Sequence, residues 1–225
     1  MRYLKTSPRR SNVKRVLSEP LHATLDGLTS GESVITDGKF MIRSEHAPEN
    51  LVKHDKRLKD NGKTGMRDNG KDRPKNVGYV LKELKEESLV PLELVAFQKD
   101  TEIDSAFHYT PIGNPRDTRP DRNSNKCRIF AILSDDKGRT VIIDEKYYTF
   151  FSKTGIGFSG TEESLTRWKN RGSIALTRND SRRKWFAIVG AVMPIEGRTE
   201  SRKKIEDSLR ESDPVDSYMK YQNHS

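Results

Sequence analysis

Arg128-Ile129-Phe130-Ala131-Ile132-Leu133, Asp135-Asp136-Lys137-Gly138 and Arg139-Thr140-Val141-Ile142-Ile143-Asp144 follow one another, and their reading decides the fold. The first block is a short, unbroken apolar run and predicts a strand. The second is a hairpin turn, with Gly138 placed where φ must turn positive. The third is the return strand, and Tyr147 to Phe151 extends it or begins another. A chain built on such hairpins belongs to the α+β class: a mostly antiparallel sheet with two or three short helices.

Downstream, Thr161 to Arg171 predicts a short helix, capped by Ser159 with Glu162 and ended by Gly172. Ser173 to Thr177 and Trp185 to Met193 predict two more strands, joined by a basic turn over Asn179 to Lys184. Thr199 to Glu211 predicts a surface helix with a thin apolar stripe, Ile205 and Leu209, before a polar tail. Upstream, residues 33–43 predict a strand or a hairpin through Asp37-Gly38. Val77, Val80, Leu81 and Leu84 have helical spacing, Pro91 should end that helix, and Leu92 to Phe97 is a further strand.

Gly31-Glu32-Ser33-Val34-Ile35-Thr36-Asp37-Gly38-Lys39-Phe40 recurs in kind as Gly138-Arg139-Thr140-Val141-Ile142-Ile143-Asp144-Glu145-Lys146-Tyr147. Glycine, Val-Ile, aspartate and lysine keep their offsets, with a ring at the end of each copy. The recurrence raises the expectation of two related subdomains, an architecture similar to the tandem units of DNA sliding clamps. The organisation it suggests is a basic flexible arm at 1–20 and an N-terminal unit at 21–112. A loop at 113–126, a hairpin/helix/hairpin unit at 127–195 and a helix with tail at 196–225 complete it.

The chain has 225 residues, 32% apolar and 33% charged, so its core draws on a subset of positions. Lys and Arg number 42 against 33 Asp and Glu, a net charge of +9 that attracts polyanions. Arg9, Arg10, Lys14 and Arg15 lie in the arm, and Lys56, Arg57 and Lys59 in a polar loop at 53–76. Arg167, Lys169 and Arg171 surround Trp168, and Arg182, Arg183 and Lys184 precede Trp185-Phe186. Cations near rings are the residue types that neutralise phosphates and stack on bases. They point to a partner that is nucleic acid, DNA or RNA, or else an acidic protein surface.

The single cysteine, Cys127, excludes an intrachain disulfide, and the five scattered histidines show no zinc spacing. No secretory signal and no membrane span is expected, which reads as a cytoplasmic protein. Its size and charge suit a virus or mobile element. Gly155, Gly157 and Gly160 meet a dinucleotide fingerprint in letters, yet Glu162 and Glu163 put negative charge where a phosphate would dock. A helix cap and flexible turn is the better reading.

Pro120-Asp121 followed by Asp144-Glu145-Lys146 resembles the PD-(D/E)xK nucleases. That resemblance implies Asp121 and Asp144 as Mg²⁺ ligands and Lys146 as the group that positions the attacking water. Alternation along one strand would put Asp144 and Lys146 on the same face. The recurrence of Asp-x-Lys at Asp37-Gly38-Lys39 favours a structural turn instead. The leading expectation is therefore a non-catalytic nucleic-acid-binding or nucleoprotein-associated accessory protein without a cofactor. A Mg²⁺-dependent nuclease is the alternative.

Overall fold

The computed structural model describes residues 6–7, 9, 16, 34–36, 39–54, 80–81, 84–85, 88–99, 108–109, 129–166, 172–180, 185–196 and 203–207. Strands β1 (Val34–Thr36) and β2 (Phe40–Arg43) form a hairpin, with Ile35 opposite Ile42. A 3-10 turn (Ser44–His46) and helix α1 (Glu49–His54) follow. Then come β3 (Leu89–Lys99), β4 (His108–Tyr109), β5 (Ile129–Ser134) and β6 (Thr140–Asp144). Helix α2 (Glu145–Ser152), β7 (Gly157–Thr161), helix α3 (Glu162–Thr166), β8 (Ile174–Asp180), β9 (Trp185–Val192) and β10 (Ile195–Glu196) complete the order. Eight strands make one sheet, β1-β2-β9-β8-β7-β3-β5-β6, and β4 pairs with β10. Every pairing in the eight-stranded sheet is antiparallel, so the fold is α+β as its hairpins predict.

Strand β3 is the corner of this sheet. Leu89 to Leu92 pairs with β7, whereas Glu93 to Lys99 pairs with β5. The register slips between Leu94 and Ala96, leaving Val95 as an exposed bulge residue. Bulges bend a strand and let it pass from one set of partners to another. Pro91 lies inside β3 rather than at a helix end, which corrects the expected start of this strand. It sits in the half paired to β7 alone, where a residue without an N–H is tolerated.

One face of the sheet is covered by α2. The sequence 147–151 was expected to be strand, because Tyr, Phe and Thr favour strands. It is helical because Asp144 ends β6 as an N-cap, its carboxylate accepting the Lys146 N–H at 3.0 Å. Helical spacing then places Tyr147, Phe150 and Phe151 together in the buried core. Phe40 of β2 meets Tyr147 at 5.5 Å and Phe151 at 5.4 Å between ring centroids. Tyr148 meets Phe97 of β3 at 5.8 Å and Phe158 of β7 at 5.2 Å. One helix thus joins three strands that are distant in sequence.

A second buried cluster lies on other strand residues. Val80, Leu81 and Leu84 pack on Met41, Ala175, Ala191 and Met193, but only Val80 and Leu81 are helical: Leu84 and Lys85 are not, so the expected helix does not run to Pro91. Near the other end, residues 203–207 are helical, Ile205 is fully buried, and Glu206 accepts a hydrogen bond from Thr140 of β6 at 3.2 Å. Lys203, Lys204 and Asp207 are exposed, so the segment is a surface helix docked through Ile205, the residue its apolar stripe names. Burial on both faces explains why β5 is apolar at five successive positions, Ile129 to Leu133.

The α3 cap also differs from expectation. Ser159 is a buried strand residue of β7, opposite Pro91 and Ala175. Thr161 caps the helix instead: Ser164 N–H donates to Thr161 Oγ1 at 3.1 Å and Thr161 N–H to Ser164 Oγ at 2.9 Å.

Truncating Phe151 to alanine should lower the unfolding free energy by about 3–5 kcal/mol in urea titration. Val95→Ala, at the exposed bulge, should shift it by less than about 0.5 kcal/mol. Gln98 is fully buried in β3, and neither Oε1 nor Nε2 has a hydrogen-bond partner. Gln98→Met should therefore stabilise the protein, by about 1 kcal/mol, seen as a higher midpoint in the same titration.

Candidate nucleic-acid interface

The β5–β6 turn shows how this chain spends a cation internally. Gly138 adopts φ 74° and donates its N–H to the Asp135 carbonyl at 3.2 Å. Asp135 Oδ1 accepts the N–H groups of Lys137 at 3.1 Å and Arg139 at 2.7 Å. Arg139 Nε donates to Asp135 Oδ2 at 2.6 Å, and its Nη1 donates to Glu162 Oε1 at 2.5 Å. The guanidinium therefore clamps the turn to the first residue of α3. Burial works to raise the Asp135 pKa, but hydrogen bonds from Arg139, its charge and the Lys137 N–H together hold it below the ordinary value. The Arg139 hydrogen bond likewise depresses Glu162, and the bonds to Glu162 and Asp135 raise Arg139 itself. A cation held this way is not offered to phosphate.

The nuclease-like residues do not sit as strand alternation requires. Asp144 closes β6 and spends a carboxylate oxygen on the α2 cap, while Lys146 lies in the first turn of α2. Lys146 Nζ stands 4.7 Å from the Tyr147 ring centroid. The expectation that one strand carries both residues on one face is thus corrected, because the strand stops at the aspartate. Asp121 lies outside the described residues. Among the described residues, no group of three or more His, Cys, Asp or Glu side chains is arranged to hold a metal ion.

Glu145 between them is fully buried, and sequence reasoning overlooked it. Its Oε1 accepts from Thr149 Oγ1 at 2.9 Å and from the Ser7 hydroxyl. Ser7 and the buried Val16 tie the N-terminal segment to the core at those two positions. Nothing local in the sequence announces a bond that spans 138 residues.

The glycine set 155–160 closes a helix. Gly155, at φ 74°, follows α2, and Ile156 N–H returns to the Phe151 carbonyl at 3.2 Å. Gly157 and Gly160 belong to β7. The order is helix then strand, the reverse of a phosphate-binding turn.

Of the expected phosphate-binding residues, Arg9 is described, exposed, and donates its N–H to Ser7 Oγ at 3.2 Å. Arg10, Lys14, Arg15, Lys56, Arg57, Lys59, Arg167, Lys169, Arg171, Arg182, Arg183 and Lys184 lie outside the described residues.

The hairpin that carries the last three is longer than expected. Strand β8 runs on to Asp180, with Arg178 opposite Ala187, Asn179 opposite Phe186 and Asp180 opposite Trp185. The neighbours stop earlier: β7 pairs with β8 no further than Thr177, and β2 with β9 no further than Gly190. Thr177 is buried, but Arg178 and Asn179 are both exposed. Successive strand residues point to opposite faces. Ala187, opposite Arg178, is nevertheless partly buried and packs against the main core. A register slip at the base, where Leu176 faces Gly190 and Thr177 faces Ile188, marks a bulge of the kind that re-aims a strand pair.

Among the described residues, no helix is long and apolar enough to cross a membrane. The chain matches no protein-family model, no curated protein and no solved structure.

The Asp135 clamp has a signature in acid. A depressed carboxylate contributes stability that is complete above its ordinary value of 3.8 and is lost as pH falls through the folded value. The stability gap between wild type and Asp135→Asn should be widest near neutral pH and close as the titration moves below about pH 4. Denaturant midpoints across that range measure it, and a gap that widens in acid would reverse the assignment.

Proposed function

We propose that this protein is a non-catalytic nucleic-acid-binding accessory factor that holds its partner through phosphate contacts. The observation that carries this reading is where the charge sits. Among the described residues, the ten strands hold only three Lys or Arg: Arg43, Lys99 and Arg178. The apolar sheet spends its positions on the core, and a net charge of +9 carried largely off the strands is the kind of charge that attracts a polyanion.

Arg9, Arg10, Lys14 and Arg15 form one such group, and Lys56, Arg57 and Lys59 a second. Arg167, Lys169 and Arg171 form a third, and Arg182, Arg183 and Lys184 a fourth. Each neutralised phosphate releases condensed counterions, so affinity should depend steeply on salt. With about six contacts, the association constant should fall about a thousandfold between 50 and 200 mM salt. Fluorescence anisotropy of a labelled duplex titrated with the full chain measures this. A flat salt response, or recovery of a bound acidic protein that survives nuclease treatment, would sink the reading.

A further inference from the structure

We propose that Ser7 is a phosphorylation site, and that a phosphate on it releases the N-terminal segment from α2. The inference goes beyond the nucleic-acid reading and does not depend on it. Ser7 Oγ donates its proton to Glu145 Oε1, across 138 residues of sequence. Glu145 is fully buried, and the same oxygen accepts from Thr149 Oγ1 at 2.9 Å. The Arg9 carbonyl, at 3.1 Å, is the alternative acceptor for the Ser7 proton, but the carboxylate is closer and charged. Ser7 itself is half-buried, and Thr6 and Arg9 beside it are exposed. The hydroxyl thus lies where the surface meets a buried carboxylate. Terminal segments open locally at less cost than the strands of a sheet, and opening presents the hydroxyl to an enzyme.

The local sequence suits a protein kinase. Residues 6–10 read Thr-Ser-Pro-Arg-Arg. Of the ten prolines, only Pro8 and Pro111 follow a hydroxyl residue, and only Pro8 is followed by arginines. Proline biases the residue before it to extended backbone, the form in which a chain lies in an enzyme's groove, and arginines are drawn to acids lining one. The kinase moves the γ-phosphoryl group of a nucleoside triphosphate to Ser7. The Ser7 Oγ–P bond forms and the bond from that phosphorus to the β–γ bridging oxygen breaks. The nucleoside diphosphate leaves, and the hydroxyl proton passes to the kinase. Transfer removes the one proton that ties Ser7 to Glu145. It also brings about −1.5 to −2 charges at pH 7 beside a buried carboxylate. Neither group can then donate to the other, and burying both is strongly unfavourable. Arg9 N–H already reaches Ser7 Oγ at 3.2 Å, so the displaced phosphate finds a donor within its own segment.

The test uses the full chain in two arms. In the first, a proline-directed protein kinase with ATP should place phosphate on Ser7, read by peptide mass spectrometry. No phosphate there overturns the assignment. In the second, the chain is made with phosphoserine encoded at position 7 and compared with the unmodified chain by amide hydrogen exchange. Exchange in peptides spanning residues 1–16 and helix α2 should quicken about tenfold or more. A peptide over β8 (Ile174–Asp180) should be unchanged. In Glu145→Gln the carboxamide can donate to the phosphate, so phosphoserine should quicken exchange by no more than about a third as much. Phosphoserine that leaves exchange unchanged overturns the proposal. So does an increase shared by β8, which would mean general unfolding, or an equal increase in Glu145→Gln. Should Glu145→Gln fail to fold, shown by its circular dichroism spectrum, the comparison of modified and unmodified wild type decides alone.

Discussion

Burial of one aromatic face of α2 is the contact on which the other elements depend. The helix spans eight residues, too short to be stable in water by itself. It exists because Tyr147, Phe150 and Phe151 leave water together against a sheet bent around them. Each such burial contributes on the order of 2 kcal/mol, and the ring pairs add up to about 1 kcal/mol apiece. That sum is a large share of the ~5–15 kcal/mol that separates a folded domain from its unfolded chain. The partners Phe40, Phe97 and Phe158 come from β2, β3 and β7, so the helix ties together three strands that are distant in sequence. The bulge at Val95 and the change of partners along β3 are how the backbone meets that demand.

What the sequence displays well is chemistry that acts within a few residues. The β5–β6 turn is legible because Asp135 and Gly138 need only each other and their neighbours. The β1–β2 and β8–β9 hairpins are legible for similar reasons, as apolar runs separated by turn residues. Helix α2 is not, because its residues favour strands and its helicity comes from a cap and from distant rings. The cap of α3 misleads for a smaller reason: Ser159 and Thr161 are both plausible caps, and only pairing with Pro91 and Ala175 assigns Ser159 to β7. The extension of β8 to Asp180 is hidden because Asn179-Asp180 reads as turn in isolation.

Charge follows the same division between local and tertiary causes. An antiparallel sheet with both faces covered cannot accommodate many cations without burying them, and burial of an unpaired charge is strongly unfavourable. Arg139 escapes that cost only by meeting two carboxylates. The other route is exposure, as for Arg178, which lies beyond the last pairing of β8 to β7. An exposed ribbon with free edges invites pairing with other chains unless it carries charge. Arg178 puts such a charge on the exposed part of β8.

The recurring segment shows why local likeness does not transfer structure. Val34-Ile35 and Val141-Ile142 are both strand, in β1 and β6, at opposite edges of the sheet. After the shared aspartate the copies part: Phe40 begins β2, whereas Tyr147 sits in α2. Asp144 caps a helix whose following aromatic face, Tyr147, Phe150 and Phe151, is received by the core. In the first copy a second strand follows, with Phe40 opposite Val192 of β9, and pairing replaces helix formation. Yet the two rings at the same offset, Phe40 and Tyr147, touch in the core. Each copy delivers one large aromatic residue to the same interior point by a different backbone route. The offset therefore reflects a demand of the core for rings, which packing satisfies with a strand in one case and a helix in the other.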